Sequence, residues 1–279
     1  MRQVRNILLL IFLFCCCIAE RGVAQEKTIG GNRLMHNTAM DGAPSLLVVG
    51  CEAKMYRSDV DREIGKANTM THEEISRFFR SALAASLHQT FASRYNTISG
   101  DDRSTGYSSK DGGLSNFMHE NVRYVYEVLK VEDTTSSKLK QLVKRKPREP
   151  KSKSGIVEGQ VAVQPSQNER YMHAVLENDT LLSFLKKSEQ VDYVLFINEL
   201  DVTYFIKDPA KAAYGGVEKS FKVHYTIYST DGKVILSGAE KAYVDGSESN
   251  IHQLANSAFT KTATAILESF GTAISSEKG

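Results

Sequence analysis

The chain has 279 residues, of which 41% are apolar and 24% charged, with 35 Lys and Arg against 33 Asp and Glu. That balance excludes a disordered chain, a collagen-like chain and a polytopic membrane protein. Four cysteines in this length also exclude a disulfide scaffold.

Residues 1–24 read as a secretory signal peptide. Arg2 and Arg5 precede an unbroken apolar run at 7–18, and Gly22-Val23-Ala24 places small residues before Gln25, the expected mature start. A helix over that run rises about 18 Å, against a bilayer core of about 30 Å, so cleavage is expected over anchoring. Cys15, Cys16 and Cys17 follow Phe14 and one another, without the small residue a lipoprotein signal needs. Lipidation and an outer-membrane lipoprotein are therefore the lesser reading, and the expected location is periplasmic or extracellular. Removing 1–24 leaves equal numbers of basic and acidic residues and one cysteine, Cys51. It follows an apolar run, which predicts a buried, inert thiol at a strand end.

The mature chain, 25–279, reads as one α/β domain. After a polar lead-in, the apolar run 45–49 predicts a buried strand. Residues 52–70 are mixed and charged and read as a loop with a short helix. Thr71 and Glu74 form a capping box, and Ile75, Phe78, Phe79, Ala82, Leu83, Leu87 and Phe91 recur at helical spacing. Residues 95–99 read as the strand this helix feeds, which makes a unit of the length of a parallel crossover. A helical turn is expected around Leu114, Phe117 and Met118, and a strand over 122–131.

Residues 138–153 hold eight basic residues against one acid, with Pro147 and Pro150 breaking any helix. We read about 134–168 as an exposed, mobile insertion in the domain. Asn178-Asp179-Thr180 then caps a short helix over Leu181, Leu182 and Leu185, with Lys186 and Lys187 at its cation-favouring end.

Residues 191–206 read as one extended run. Leu195 and Ile197 oppose Val194 and Phe196, and then Leu200, Val202, Tyr204 and Ile206 oppose Glu199, Asp201 and Thr203. Residues 217–228 alternate Phe221, Val223, Tyr225 and Ile227 with Lys222, His224 and Thr226. Asp231-Gly232 marks a hairpin to the strand at 234–244. A helix from about Asn250 carries Ile251, Leu254, Ala258, Phe259, Thr262, Ile266 and Phe270, with Gly271 as its expected C-terminal cap. The predicted fold is α/β (α+β). A mixed β-sheet joins an N-terminal β-α-β unit to a C-terminal three-strand antiparallel meander, covered by amphipathic helices on at least one face.

Few local signatures of chemistry occur. There is no GxSxG elbow, CxxC pair, GxGxxG or Walker loop, and His72-Glu73-Glu74 lacks the second His of a zinc helix. No metal site and no cofactor are therefore expected. Asp59, Asp61 and Glu63 are spaced like the first ligands of a calcium loop, but Ile64 and Met70 stand where Gly and the bidentate Glu are needed. Asp59, Asp61 and Arg62 remain the first expected binding surface, because they follow the first strand, and α/β sheets bind ligands past the carboxyl ends of strands. The second is the basic segment, with Lys144, Arg145, Lys146 and Arg148 as its densest part. Its charge suits an acidic envelope protein, anionic lipid head groups or polysaccharide. Nucleic acid is a poor partner for an exported chain without interleaved aromatics.

At Val191-Asp192-Tyr193-Val194-Leu195-Phe196-Ile197 the chain resembles α/β envelope domains of bacteria: those of the curli-secretion lipoproteins, the penicillin-binding-protein activator lipoproteins and the Tol-system periplasmic protein. The resemblance spans about 180–271 and includes Asp231-Gly232-Lys233 and the closing helix. It implies an assembly or regulatory factor without catalytic residues; the lipobox is absent and the basic insertion has no counterpart. The expected function is thus an exported, non-catalytic envelope protein that binds another envelope component. Two alternatives stand beside it: a metal-assisted hydrolase built near Asp59 and Asp61, and a structural protein that forms a homo-oligomer.

Overall fold

A computed structural model describes residues 42–100, 113–128, 155–157, 160–162, 170–178, 180–206 and 217–277. All of them fall within one unit of the chain, Arg33–Gly279. The signal-peptide region, the cysteines at 15–17 and the cluster Lys144, Arg145, Lys146 and Arg148 lie outside the described residues. No helix of the described residues is long and apolar enough to cross a membrane.

Strand β1 (Ser45–Val49) is buried at every position. Its five residues are apolar or small, as a central strand covered on both faces requires. Helix α2 (His72–Phe91) carries the chain from β1 to β3 (Asn96–Ser99), which pairs with β1 in parallel. The Thr71–Glu74 capping box is present, so the sequence signal and the observed helix start agree. Strand β8 (Tyr193–Ile206) lies on the other side of β1, also parallel, and β9 (Val217–Ser229) and β10 (Val234–Asp245) complete the antiparallel meander. The order is β10-β9-β8-β1-β3. The mixed sheet and its two predicted halves are thus present.

Four strands escape the sequence reading. After β1 the chain leaves the sheet edge over residues 50–55, makes a 3-10 turn, and returns as β2 (Tyr56–Ser58). Strand β2 pairs with β8 at residues 200–202, further along the edge that β1 occupies at 193–196. Helix α1 (Asp61–Asn68) follows, closed by Thr69 in the left-handed conformation at φ 55°. Another missed strand, β7 (Arg170–Leu176), pairs antiparallel with β4 (Val122–Val128). Val128 pairs with Arg170, so residues 129–169 connect the two strands of one ribbon. Within that stretch the other two, β5 (Gly155–Val157) and β6 (Gln160–Ala162), pair with each other.

One sheet face packs on α2 and on α5 (Ile251–Glu277). Phe79 of α2, Phe221 of β9 and Phe259 of α5 meet edge to face, with ring centroids 5.5–6.0 Å apart. Such contacts contribute about 0.5–1.5 kcal/mol each beyond the area they bury. Gly271 does not end α5. The helix continues to Glu277, because Ile274 still packs on the core beyond the expected stop.

The other face is covered by α3 (Gly113–Glu120), the β4–β7 ribbon and α4 (Thr180–Ser188), over Leu47, Val49, Ile98, Val194, Phe196 and Tyr228. This cover explains why His224 and Thr226, at the polar positions of the β9 alternation, are almost fully buried. They bond the backbone of β7. The Met172 N–H donates to His224 Nδ1 at 2.7 Å, and the Ala174 N–H to Thr226 Oγ1 at 3.0 Å. Asn198 donates to the Met172 carbonyl and Tyr228 to the Ala174 carbonyl, each at 2.7 Å. Side chains of the large sheet thus satisfy an edge of the ribbon that another strand would otherwise pair.

Candidate functional site

A one-residue register shift in β8, between Ile197 and Glu199, shapes the ribbon-side face. Leu195 and Ile197 before it, and Leu200 and Val202 after it, all lie in the helix-side core. The inserted residue switches the strand's parity, so Asn198 and Glu199 both turn towards the ribbon. Glu199 is fully buried and charge-paired: Arg57 Nε of β2 lies 2.8 Å from one carboxylate oxygen, and the Tyr126 hydroxyl lies 2.7 Å from both. Burial, then the bond to Glu199, pushes the Tyr126 phenol up from its ordinary pKa.

Glu199, Asp201 and His224 bring three ligand-type atoms within 4.8 Å of one another. The proton on His224 decides against a metal there. Its Nδ1 accepts the Met172 N–H, so the ring proton sits on Nε2, 3.2 Å from Asp201 Oδ2 and 3.7 Å from Glu199 Oε2. That tautomer leaves Nε2 no lone pair for a cation, and Arg57 already holds the cationic place on Glu199. The group is an ion-paired, hydrogen-bonded lock between sheet and ribbon.

Asp59 and Asp61 bond different partners. The exposed Asp59 accepts the Tyr204 N–H at 3.2 Å. Asp61 is buried, with Tyr56 on one oxygen at 2.7 Å and His72 on the other at 2.6 Å. Asp61 therefore joins α1 to β2 and α2, and Asp59 joins the connection before α1 to β8. Arg62 stays exposed on α1. Cys51 is buried as expected, and burial pushes its thiol up to about 12. His72 and His88 bond Asp61 and Thr97.

The open cleft lies eight residues earlier than Asp59, at the carboxyl end of β1. It has a volume of about 540 Å³. Gly50, Cys51, Glu52 and Lys54 form one wall, Arg77, Arg80 and Ser81 of α2 a second, and Ser115, Asn116 and His119 of α3 a third. The turn after β1 is clamped from both sides. His119 Nε2 lies 2.7 Å from the Gly50 carbonyl, and Arg80 Nη1 donates to the Cys51 carbonyl at 2.9 Å. The Gly50 carbonyl can only accept, which places the His119 proton on Nε2, and Nδ1 bonds the Tyr124 hydroxyl. Arg80 is further fixed by Ser76 Oγ at 3.4 Å from its Nε, and Lys54 pairs with Glu52 at 2.8 Å.

The sequence reading did point past the first strand, but not to these residues. Arg77 and Arg80 sit three apart in a helix that also carries Glu73 and Glu74, and so look like a solvated charged face. Ser115 and His119 have no local signature; only their i, i+4 spacing, which puts both on one face of α3, was there to be read.

No family model, no curated protein and no solved structure matches this chain.

Proposed function

We propose that the protein is an exported envelope protein that binds an anionic component without transforming it. The observation that carries this reading is the cleft at the end of β1. Its side chains Lys54, Arg77 and Arg80 stand against one carboxylate, Glu52. Its position past the carboxyl end of a parallel strand is where α/β sheets hold ligands. Groups of catalytic type elsewhere are committed to the scaffold: Cys51 by burial, Asp61 and His72 to each other, His224 to the β7 backbone. The leader at 1–24 and the resemblance of 180–271 to envelope domains support the location.

Thermal unfolding of the full chain against phosphate, sulfate, citrate and glucuronate tests the binding. At least one anion should raise the midpoint saturably, and Arg77→Gln should remove the rise. No rise with any of them would end the reading. Recovery of the bound anion chemically unchanged is expected, and turnover would return the protein to the enzymes. For the location, intact mass of chain isolated from the envelope should start at Gln25.

A further inference from the structure

Resting on that reading, the cleft also specifies which anion it takes. We propose that it binds a phosphomonoester, the phosphoryl group held by Arg80, Arg77 and Ser115. Three observations converge. First, Arg80 is pre-positioned by its bonds to Cys51 and Ser76, which use two of the five N–H bonds of a guanidinium and leave the rest for a ligand. Arg77 precedes it by one helical turn on the same wall. Second, Ser115 is only 4% exposed and lines the cleft, yet its hydroxyl has no hydrogen-bond partner among the described residues. A buried hydroxyl left unpaired is costly, and a ligand oxygen would satisfy it. In this structure that hydroxyl packs against Gly100, where a Cβ would lie 2.6 Å from Ser115 Oγ, so meeting a ligand oxygen takes a rotation about its χ1. Third, three cations against one carboxylate leave the walls two positive charges in excess.

These features select phosphoryl over carboxylate. A carboxylate carries one charge, and its two coplanar oxygens are filled by a single guanidinium fork. A phosphomonoester carries close to two charges, and its three oxygens can meet two guanidinium groups and a hydroxyl from three directions. Ser115 and Asn116 also lie in the first turn of α3, whose positive dipole end favours an anion. The cleft is larger than a phosphate ion, so the remainder of the ligand has space beside Ser81 and Asn116. The same head group occurs on a soluble metabolite and on a lipid.

Calorimetric titration of the full chain with glycerol 1-phosphate should show saturable binding. Arg77→Gln and Ser115→Ala should each weaken it about tenfold or more, with circular dichroism unchanged. Among the described residues Arg77 makes no bond to the scaffold turn, so its variant separates binding from folding, whereas Arg80→Gln also loses the bond to the Cys51 carbonyl. Glucuronate should bind at least about tenfold more weakly. Equal affinity for glucuronate, with the same loss in Arg77→Gln, would overturn the phosphoryl assignment and leave the anion reading standing; failure of both ligands would overturn both. Co-sedimentation with phosphatidylcholine vesicles containing phosphatidic acid, competed by glycerol 1-phosphate, would place the head group on a lipid. Soluble binding without sedimentation would place it on a free phosphomonoester.

Discussion

Thr226 shows how a buried polar residue is kept in this core. Its Oγ1 accepts from the Ala174 N–H at 3.0 Å and from Asn198 Nδ2 at 2.8 Å. Thr226→Val preserves shape and strands both donors, so urea unfolding should show a loss of about 1–3 kcal/mol; a change under about 0.5 kcal/mol would mean that the ribbon edge finds other partners. Lys219 makes the corresponding lock on the opposite face. It is fully buried, and its ammonium bonds Glu63 at 2.9 Å and the carbonyls of Gly246 and Glu248. Burial of Glu63 acts to raise its pKa, but the bonds from Tyr204 and Lys219 outweigh this and hold it below the ordinary value. A carboxyl lowered in the folded state stabilises above its unfolded pKa of about 4.3 and loses that contribution as pH falls through the folded value. Glu63→Gln should therefore lower stability at neutral pH and flatten its acid dependence below about pH 4.3. An unchanged acid slope would show that other carboxylates carry it.

At the scale of elements, β10 shows two glycines of opposite meaning. Gly246 closes the strand where the chain turns towards α5, and a Cβ there would lie 2.2 Å from the Val217 carbonyl oxygen. Backbone cannot yield as a side chain can, so Gly246→Ala should cost at least about 2 kcal/mol and pull Lys219 from one of its carbonyls. Gly238 lies inside β10, and the nearest atom to its Cβ would be the Tyr225 hydroxyl at 3.7 Å. Gly238→Ala should be neutral or raise stability by up to about 1 kcal/mol, by restricting the unfolded chain. Paired denaturant curves compare them; equal effects would contradict this account. Strong local signals made α2, α5 and the meander legible: a capping box, long apolar stripes and Asp231-Gly232. Strands β2 and β7 were not legible. The first has three residues and forms only because β8 offers an edge past β1, and the second pairs with β4 on one edge while side chains of the large sheet bond the other, which no local alternation announces.

For the whole molecule, the sheet is buried on both faces, and the ribbon that covers one of them is interrupted between Val128 and Arg170. Those two residues are paired neighbours, so a two-residue Asn-Gly turn in place of 129–169 would close an ordinary hairpin. That variant should keep a single cooperative unfolding transition with a midpoint within a few degrees of the full chain. A broadened or early transition would show that the removed stretch belongs to the core. If the basic segment rather than the cleft captures the anion, the same variant loses binding while Arg77→Gln keeps it.

The amino-acid sequence by itself determined the elements whose periodicity is local and long, the mixed α/β class and the burial of Cys51. It also showed the change of apolar parity between Ile197 and Leu200. Tertiary structure alone decided what that change does: it turns Glu199 inward to meet Arg57 and Tyr126. It decided as well that Asp59 and Asp61 serve as ties, and that Arg80, Ser115 and His119 meet around the turn after β1. The physical reason is distance along the chain. Helix stripes and hairpin turns are written within a few residues, whereas the contacts that clamp the cleft join residues 29 and 69 positions apart, which only the folded sheet brings together.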